Sequence, residues 1–186
     1  EKALLYLGED CIITRNKDEI YNADKVILPG VGAFGDAMDK LDSFGMTEVA
    51  RKTALDGKPI LGICLGLQLM FESSDEAPGR AGIGILKGKI LAIPPKESYK
   101  IPHMGWNSLD IKKKMPLFEG LSQESYVYFV HSYYLQTEAD IVSATTYYGK
   151  EIQVAAQKDK VFALQFHPEK SGEVGLKILK NFGRMQ

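Results

Sequence analysis

The sequence predicts an α/β fold, an open and mainly parallel sheet flanked by helices, with antiparallel strands added in the second half. Two observations carry it. Up to about residue 72, apolar runs of strand length alternate with stretches of helical spacing, the signature of crossover connections. From residue 82 the period changes to strand after strand before one last helix. With 186 residues, 45% of them hydrophobic, the chain can bury about 70% of its unfolded surface in one core. No internal repeat or low-complexity linker divides it, so a single domain over residues 1–186 is expected.

Residues 1–7 read as the last turns of an amphipathic helix stopped by Gly8, and Cys11-Ile12-Ile13-Thr14 as a short strand. A helix leading into a strand implies a strand before it, so a first strand and its loop are expected N-terminal to Glu1. Lys25-Val26-Ile27-Leu28 reads as a buried strand. A Gly-rich loop follows, then helices near residues 37–44 and 47–55, the second capped by Gly57. Pro59-Ile60-Leu61-Gly62-Ile63 is an unbroken apolar run, and residues 65–72 after it have helical spacing: strand, sharp turn, helix. Strands are then expected over residues 82–93, 107–111, 126–135, 141–148, 151–157 and 161–166. Tyr147-Tyr148-Gly149-Lys150 and Lys158-Asp159-Lys160 have the composition of hairpin turns. A final helix covers about residues 171–182, with Val174, Leu176, Ile178 and Leu179 on its apolar side.

Charge and cysteine usage exclude several function classes. Lys and Arg number 23 against 24 Asp and Glu, a net charge of −1 with no basic stripe. Nothing in that balance attracts nucleic acid or an anionic membrane surface. No apolar run approaches the roughly 20 residues of a transmembrane helix. Two cysteines, Cys11 and Cys64, make neither a disulfide scaffold nor a Cys-rich zinc site, and fit a reducing cytoplasm.

The strongest chemical signal is Gly62-Ile63-Cys64-Leu65-Gly66-Leu67-Gln68, a cysteine at a strand-to-helix junction with a glycine two places to either side. This is the pattern of a nucleophile elbow. The sharp turn strains the nucleophile's dihedrals, and the glycines remove side chains where the chain doubles back. The helix N-terminus then sets N–H groups that stabilise negative charge beside the sulfur, with Leu65 N–H as an oxyanion donor. The alternative is a buried structural cysteine between close-packed glycines. Cys11, without glycines, base or helix N-terminus, reads as a small buried hydrophobe.

A cysteine nucleophile needs a base. His167 ends a strand and is followed by Pro168 and Glu169, so imidazole and carboxylate stand at i and i+2 on one face. Glu169 can hold the ring in one tautomer and stabilise its cation. His131 and His103 have no acid nearby and read as satisfied strand histidines, and neither spacing resembles a zinc pair. Pro29-Gly30-Val31-Gly32 follows a buried strand but lacks the Lys-Ser/Thr of a P-loop. It reads instead as a mobile loop of backbone donors facing the nucleophile at the carboxyl edge of the sheet.

In this order, the Cys64 elbow, the His167-Pro168-Glu169 triplet and the Gly30 loop resemble class I glutamine amidotransferases, whose flavodoxin-like fold agrees with the pattern above. The resemblance covers essentially the whole chain. Gly30-Val31-Gly32-Ala33-Phe34-Gly35, Pro102-His103-Met104-Gly105-Trp106-Asn107 and Phe166-His167-Pro168-Glu169-Lys170-Ser171 are most similar to the glutaminase subunits of imidazole glycerol phosphate synthases. The departure is at the front, where the family has a first strand and a glycine-containing loop.

The resemblance implies hydrolysis of L-glutamine to glutamate and ammonia, with Cys64 as nucleophile, His167 as proton carrier and Glu169 as orienter. It places the oxyanion donors on Leu65 N–H and Val31 N–H, within Gly30 to Gly32. Gln68, Glu76 and the Ser132 and Tyr133 backbone take substrate-positioning roles, against plainer readings of Gln68 as helix surface and Glu76 as a solvated charge. It implies a (β/α)8 cyclase partner that receives ammonia and makes imidazole glycerol phosphate and aminoimidazole carboxamide ribonucleotide. Met104, Trp106 and Lys170 are then interface candidates, with core packing the alternative for Trp106. No cofactor or metal is required. Three competing readings stay open: an amidotransferase feeding another synthase (anthranilate, guanylate, carbamoyl phosphate or aminodeoxychorismate), a noncatalytic scaffold, and a thiol hydrolase acting on peptides.

Overall fold

The structure, a computed structural model, describes residues 1–97 and 99–185. The chain runs α1 (Lys2–Tyr6), α2 (Lys17–Asn22), β1 (Val26–Gly30), α3 (Phe34–Ser43), α4 (Met46–Leu55), β2 (Ile60–Cys64), α5 (Leu65–Leu69) and β3 (Ser73–Ser74). It continues through β4 (Lys89–Ala92), β5 (His103–Ser108), β6 (Asp110–Ile111), β7 (Tyr126–His131), β8 (Tyr133–Gln136), β9 (Val142–Tyr147), β10 (Glu151–Lys158), β11 (Val161–Leu164) and α6 (Gly172–Gly183). Short 3-10 turns occupy Pro116–Phe118 and Pro168–Lys170.

Among the described residues β2 is the second strand of a nine-stranded sheet, parallel to the edge strand β1 on one side and to β11 on the other. All five of its residues are buried, which is why it reads as a continuous apolar run and not as an alternating one. Ile60 joins the cluster of Phe34, Met38, Leu67 and Phe71 under α3 to α5. Leu61 and Ile63 join Phe129, Phe162, Phe166 and Ile178 on the opposite face, beneath α6. Each such side chain contributes roughly 1.5–3 kcal/mol by leaving water.

Beyond β11 the sheet turns antiparallel. β10 is flanked on one edge by β9; along its other edge it meets β8 at Gln153 and β11 from Ala155 onward. β8 pairs with β4, β4 with β3 in parallel, and β6 with β9. β5 and β7 form a separate two-stranded antiparallel ribbon. Both expected hairpins are present, with Gly149 at φ 70° and Asp159 at φ 53°.

Several expected elements differ. Residues 11–14 form no strand: among the described residues no neighbouring strand lies beside them to bond their backbone, and Ile12 and Ile13 are exposed. The strand expected over 82–93 is confined to β4, because Gly82 N–H, Ile83 N–H and Leu86 N–H bond back to Glu72, Leu69 and Met70 instead. The helix expected over 65–72 stops after Leu69. The segment 126–135 is broken at Ser132, which sends β7 into the ribbon and β8 into the main sheet. The strand expected over 107–111 is divided between β5 and β6, and α2, β3 and residues 103–106 of β5 went unforeseen.

Candidate active site

Cys64 ends β2 and is the N-cap of α5 at φ 55° and ψ −113°, a backbone conformation that a non-glycine residue adopts under strain. Main-chain packing holds it there. A Cβ on Gly66 would lie 1.8 Å from the Leu28 carbonyl oxygen of β1, and one on Gly62 would lie 2.7 Å from the Gly66 oxygen. The first turn of α5 therefore rests directly on the sheet, and Leu65 N–H, at its start, has no acceptor within the helix. The register opposes Gly30 to Cys64 across β1 and β2, so the Gly30-Val31-Gly32 loop begins beside Cys64 and Leu65. Gly32 has φ 95° and Val31 is exposed.

His167 follows the adjacent strand, β11, and is buried. Its Nδ1 lies 2.7 Å from Glu169 Oε1, which fixes the neutral ring with its proton on Nδ1. Nε2 is buried and makes no hydrogen bond of good geometry, yet the Cys64 thiol is close enough to be the largest influence on the ring. Cys64 and then Glu169 raise the imidazole pKa from 6.5 to about 9 against the opposing effect of burial. Burial pushes the Glu169 carboxyl upward, but its bond to His167, its own backbone N–H and the His167 and Lys170 charges together hold it below the usual value. The turn itself is braced: Ser171 Oγ donates to the His167 carbonyl at 2.6 Å and accepts from Tyr128 N–H at 2.9 Å.

A buried amide pair continues the site. Gln165 is fully buried, with Nε2 3.9 Å from Cys64 Sγ. Its Oε1 accepts from Gln68 Nε2 at 3.1 Å, and that same nitrogen lies 3.5 Å from the Tyr133 carbonyl. Gln68 is thus buried, not helix surface. Glu76 is half-buried and its carboxylate accepts from Phe34 N–H at 2.8 Å, capping the first turn of α3 beside the Gly30 loop. Ser132 and Tyr133 lie at the crossing from ribbon to sheet, with the Ser132 carbonyl accepting from Ile93 N–H.

An arrangement with a cysteine on a strained turn, an imidazole of raised pKa and the Leu65 N–H at the start of a helix can carry out acyl transfer through a thioester. The family model described as glutamine amidotransferase class-I matches residues 1–185. This chain belongs to that family. Two relatives, each named imidazole glycerol phosphate synthase subunit HisH, come from Caldanaerobacter subterraneus subsp. tengcongensis and Bacillus cereus. The first is 54% identical over 100% of this chain and 91% of its own; the second is 50% identical over 98% and 86%. A crystal structure described as a glutamine amidotransferase matches with a TM-score of 0.74 at 21% identity, covering 98% of this chain and 91% of that one, a likeness of fold.

On this amidotransferase Met104 and Trp106 point outward from β5, 61% and 56% exposed, so core packing is excluded for Trp106. Lys170 is exposed at the end of the His167 turn. His103 and His131 are buried in the ribbon and bonded to each other, as satisfied strand histidines. Cys11 is partly exposed, not buried, because the segment around it is not a strand. Gln165 was missed by the sequence reading, although a polar side chain two places before His167 in an apolar run was a signal for it. Among the described residues no group of three His, Cys, Asp or Glu could hold a metal ion, and no helix is long and apolar enough to cross a membrane.

Proposed function

We propose that this amidotransferase is the glutaminase subunit of an imidazole glycerol phosphate synthase, hydrolysing L-glutamine and passing ammonia to a (β/α)8 cyclase in histidine biosynthesis. The observation that carries the chemistry is the elbow at Cys64 beside the ion-paired His167 and Glu169. The half-identical relatives named as subunits of that synthase support the pathway over the other amidotransferases.

With its pKa raised, His167 Nε2 takes the thiol proton before Cys64 Sγ attacks the side-chain amide carbon of glutamine. Leu65 N–H and Val31 N–H receive the charge that develops on the amide oxygen. When the carbon–nitrogen bond breaks, His167 returns the proton to the leaving nitrogen, and ammonia departs from a γ-glutamyl thioester. Water then adds to the thioester carbonyl, giving a proton to His167, and the sulfur leaves and is reprotonated. One glutamine and one water become one glutamate and one ammonia. Glu169 keeps the Nδ1 proton in place and offsets the positive ring. Gln68, Glu76 and the Ser132 and Tyr133 backbone position the substrate, and Met104, Trp106 and Lys170 face the cyclase, which shields ammonia from water. The reaction needs no cofactor, and the site lies in the cytoplasm.

The test is glutamate release by this chain mixed with purified cyclase subunit and its nucleotide ligand. Glutamine-dependent cyclisation that disappears in Cys64→Ser supports the reading, and peptide hydrolysis or complex formation without glutamate release overturns it.

A further inference from the structure

The mechanism leaves two buried titratable side chains unused. His103, on β5, and His131, directly opposite on β7, are 3% and 5% exposed. His103 Nδ1 lies 2.9 Å from His131 Nε2. His131 Nδ1 lies 2.8 Å from the Tyr133 carbonyl, and His103 Nε2 lies 3.3 Å from Asn107 Nδ2.

These partners leave a single consistent placing of protons. A carbonyl only accepts, so His131 Nδ1 carries the hydrogen and, in a neutral ring, its Nε2 is bare. His103 Nδ1 must then donate to it, which leaves His103 Nε2 bare to accept from the Asn107 amide. The orientation of that amide is fixed, since its Oδ1 accepts from Ser108 N–H at 2.9 Å and its Nδ2 also donates to the Tyr147 carbonyl at 3.0 Å. Phe129 and Tyr148 stack on the two faces of His103 at 4.7 and 4.0 Å between ring centres. Charging His131 would set N–H against N–H across 2.9 Å, and charging His103 would set its Nε2–H against the Asn107 amide N–H across 3.3 Å. Desolvation agrees, holding His103 down to about 4 and, with the neighbouring His103 and His167 charges, His131 down to about 3 despite the Tyr133 carbonyl.

The relay ends where the site begins. Toward β4 it is the Ser132 carbonyl that Ile93 N–H uses, so side chains hold the Tyr133 carbonyl: His131 on one hand, Gln68 on the other. From Gln68 the bonds pass through Gln165 to the sulfur. We infer that His103 and His131 are positioning residues for glutamine, a one-way neutral relay that fixes the Tyr133 carbonyl and, through it, the Gln68 amide beside Cys64. This rests on the glutaminase reading given above.

The experiment uses the complex with the cyclase. His131→Leu removes the donor to Tyr133 and should raise KM for glutamine about tenfold, the effect of one buried hydrogen bond left unmade, while changing kcat less than threefold. His131→Asn puts an amide N–H where Nδ1 stood and should restore KM to within about threefold. His103→Phe keeps the stacked shape, leaves His131 Nε2 without a donor, and should raise KM about threefold; it serves if His131→Leu does not fold. Nitrogen-15 NMR of the unaltered complex should show two neutral rings protonated on Nδ1, and this signature does not depend on turnover. If the unaltered complex releases no glutamate, the glutaminase reading fails and the positioning role with it, whatever the tautomers. A folded His131→Leu or His103→Phe complex with parent KM, or a proton on Nε2 of either ring, overturns the inference.

Discussion

Replacing Gly66 by alanine probes how the elbow is built. The new Cβ would lie 1.8 Å from the Leu28 carbonyl oxygen, whereas ordinary contact begins at 3.4 Å, so α5 and β1 must part by about 1.6 Å. Neither side yields easily, because Leu28 is held in register with Gly62 and α5 is buried throughout. Overpacking of this kind costs about 1–3 kcal/mol. For a chain of this size the melting midpoint should fall by roughly 2–4 °C per kcal/mol. The chemical effect should exceed the structural one, since a shift of about 1 Å at a reacting centre can cost on the order of 10²-fold in rate. Glutamate release and thermal unfolding of Gly66→Ala are measured beside Gly35→Ala, whose Cβ would meet only Ala77 Cβ at 3.4 Å in α3. Gly35→Ala should be neutral or stabilising by about 0.5–1 kcal/mol. Parent activity and parent melting temperature in Gly66→Ala would show that contact with β1 does not set the position of the sulfur.

Cys64→Ser should cut glutamate release at least 10³-fold and leave ammonia-dependent synthesis by the complex intact; a glutamine-like diazoketone should label Cys64 and spare Cys11, and label on Cys11 would reverse the assignment. Glu169→Gln removes one of the two groups that raise the His167 pKa, so the pH profile of kcat/KM should move toward acid, with activity between that of His131→Asn and His167→Asn; an unmoved profile refutes the pairing. His103 and His131 have native pKa values below their unfolded value near 6.5. Their stabilisation is therefore complete above pH 6.5 and is lost as pH falls through about 4 and then about 3, by at most about 1.4 kcal/mol per pH unit per ring. His131→Asn should flatten that acid decline in denaturation midpoints, and an unchanged slope would mean the rings are not neutral in the native state.

What the sequence made legible was whatever main-chain geometry demands locally. The elbow could be read because a chain that doubles back onto its own strand has no room for Cβ at Gly62 and Gly66. Glu169 could be read because it stands two places from His167, although the 3-10 turn at Pro168–Lys170, and not an extended strand end, brings it to the ring. The pairing of His103 with His131 could not, because it depends on the register between β5 and β7. Nor could the break at Ser132, where β-rich composition continues without interruption while the chain changes sheets. Gln165 escaped because an amide in a short strand looks like an outward-facing residue until both faces are known to be covered.

The sulfur and the imidazole meet through the parallel pairing of β2 with β11, in which Ile63 opposes Leu164. That has a consequence for the newly made chain. Synthesis reaches the thiol long before it reaches the base, and during that interval β2 lacks its later neighbour. Long-range parallel pairings are among the slow steps of folding, and an apolar strand awaiting its partner is a hazard for association. Until its final quarter emerges the chain therefore carries a thiol without its imidazole and an edge that is adhesive. The same crossing that brings the imidazole to the thiol also closes that edge.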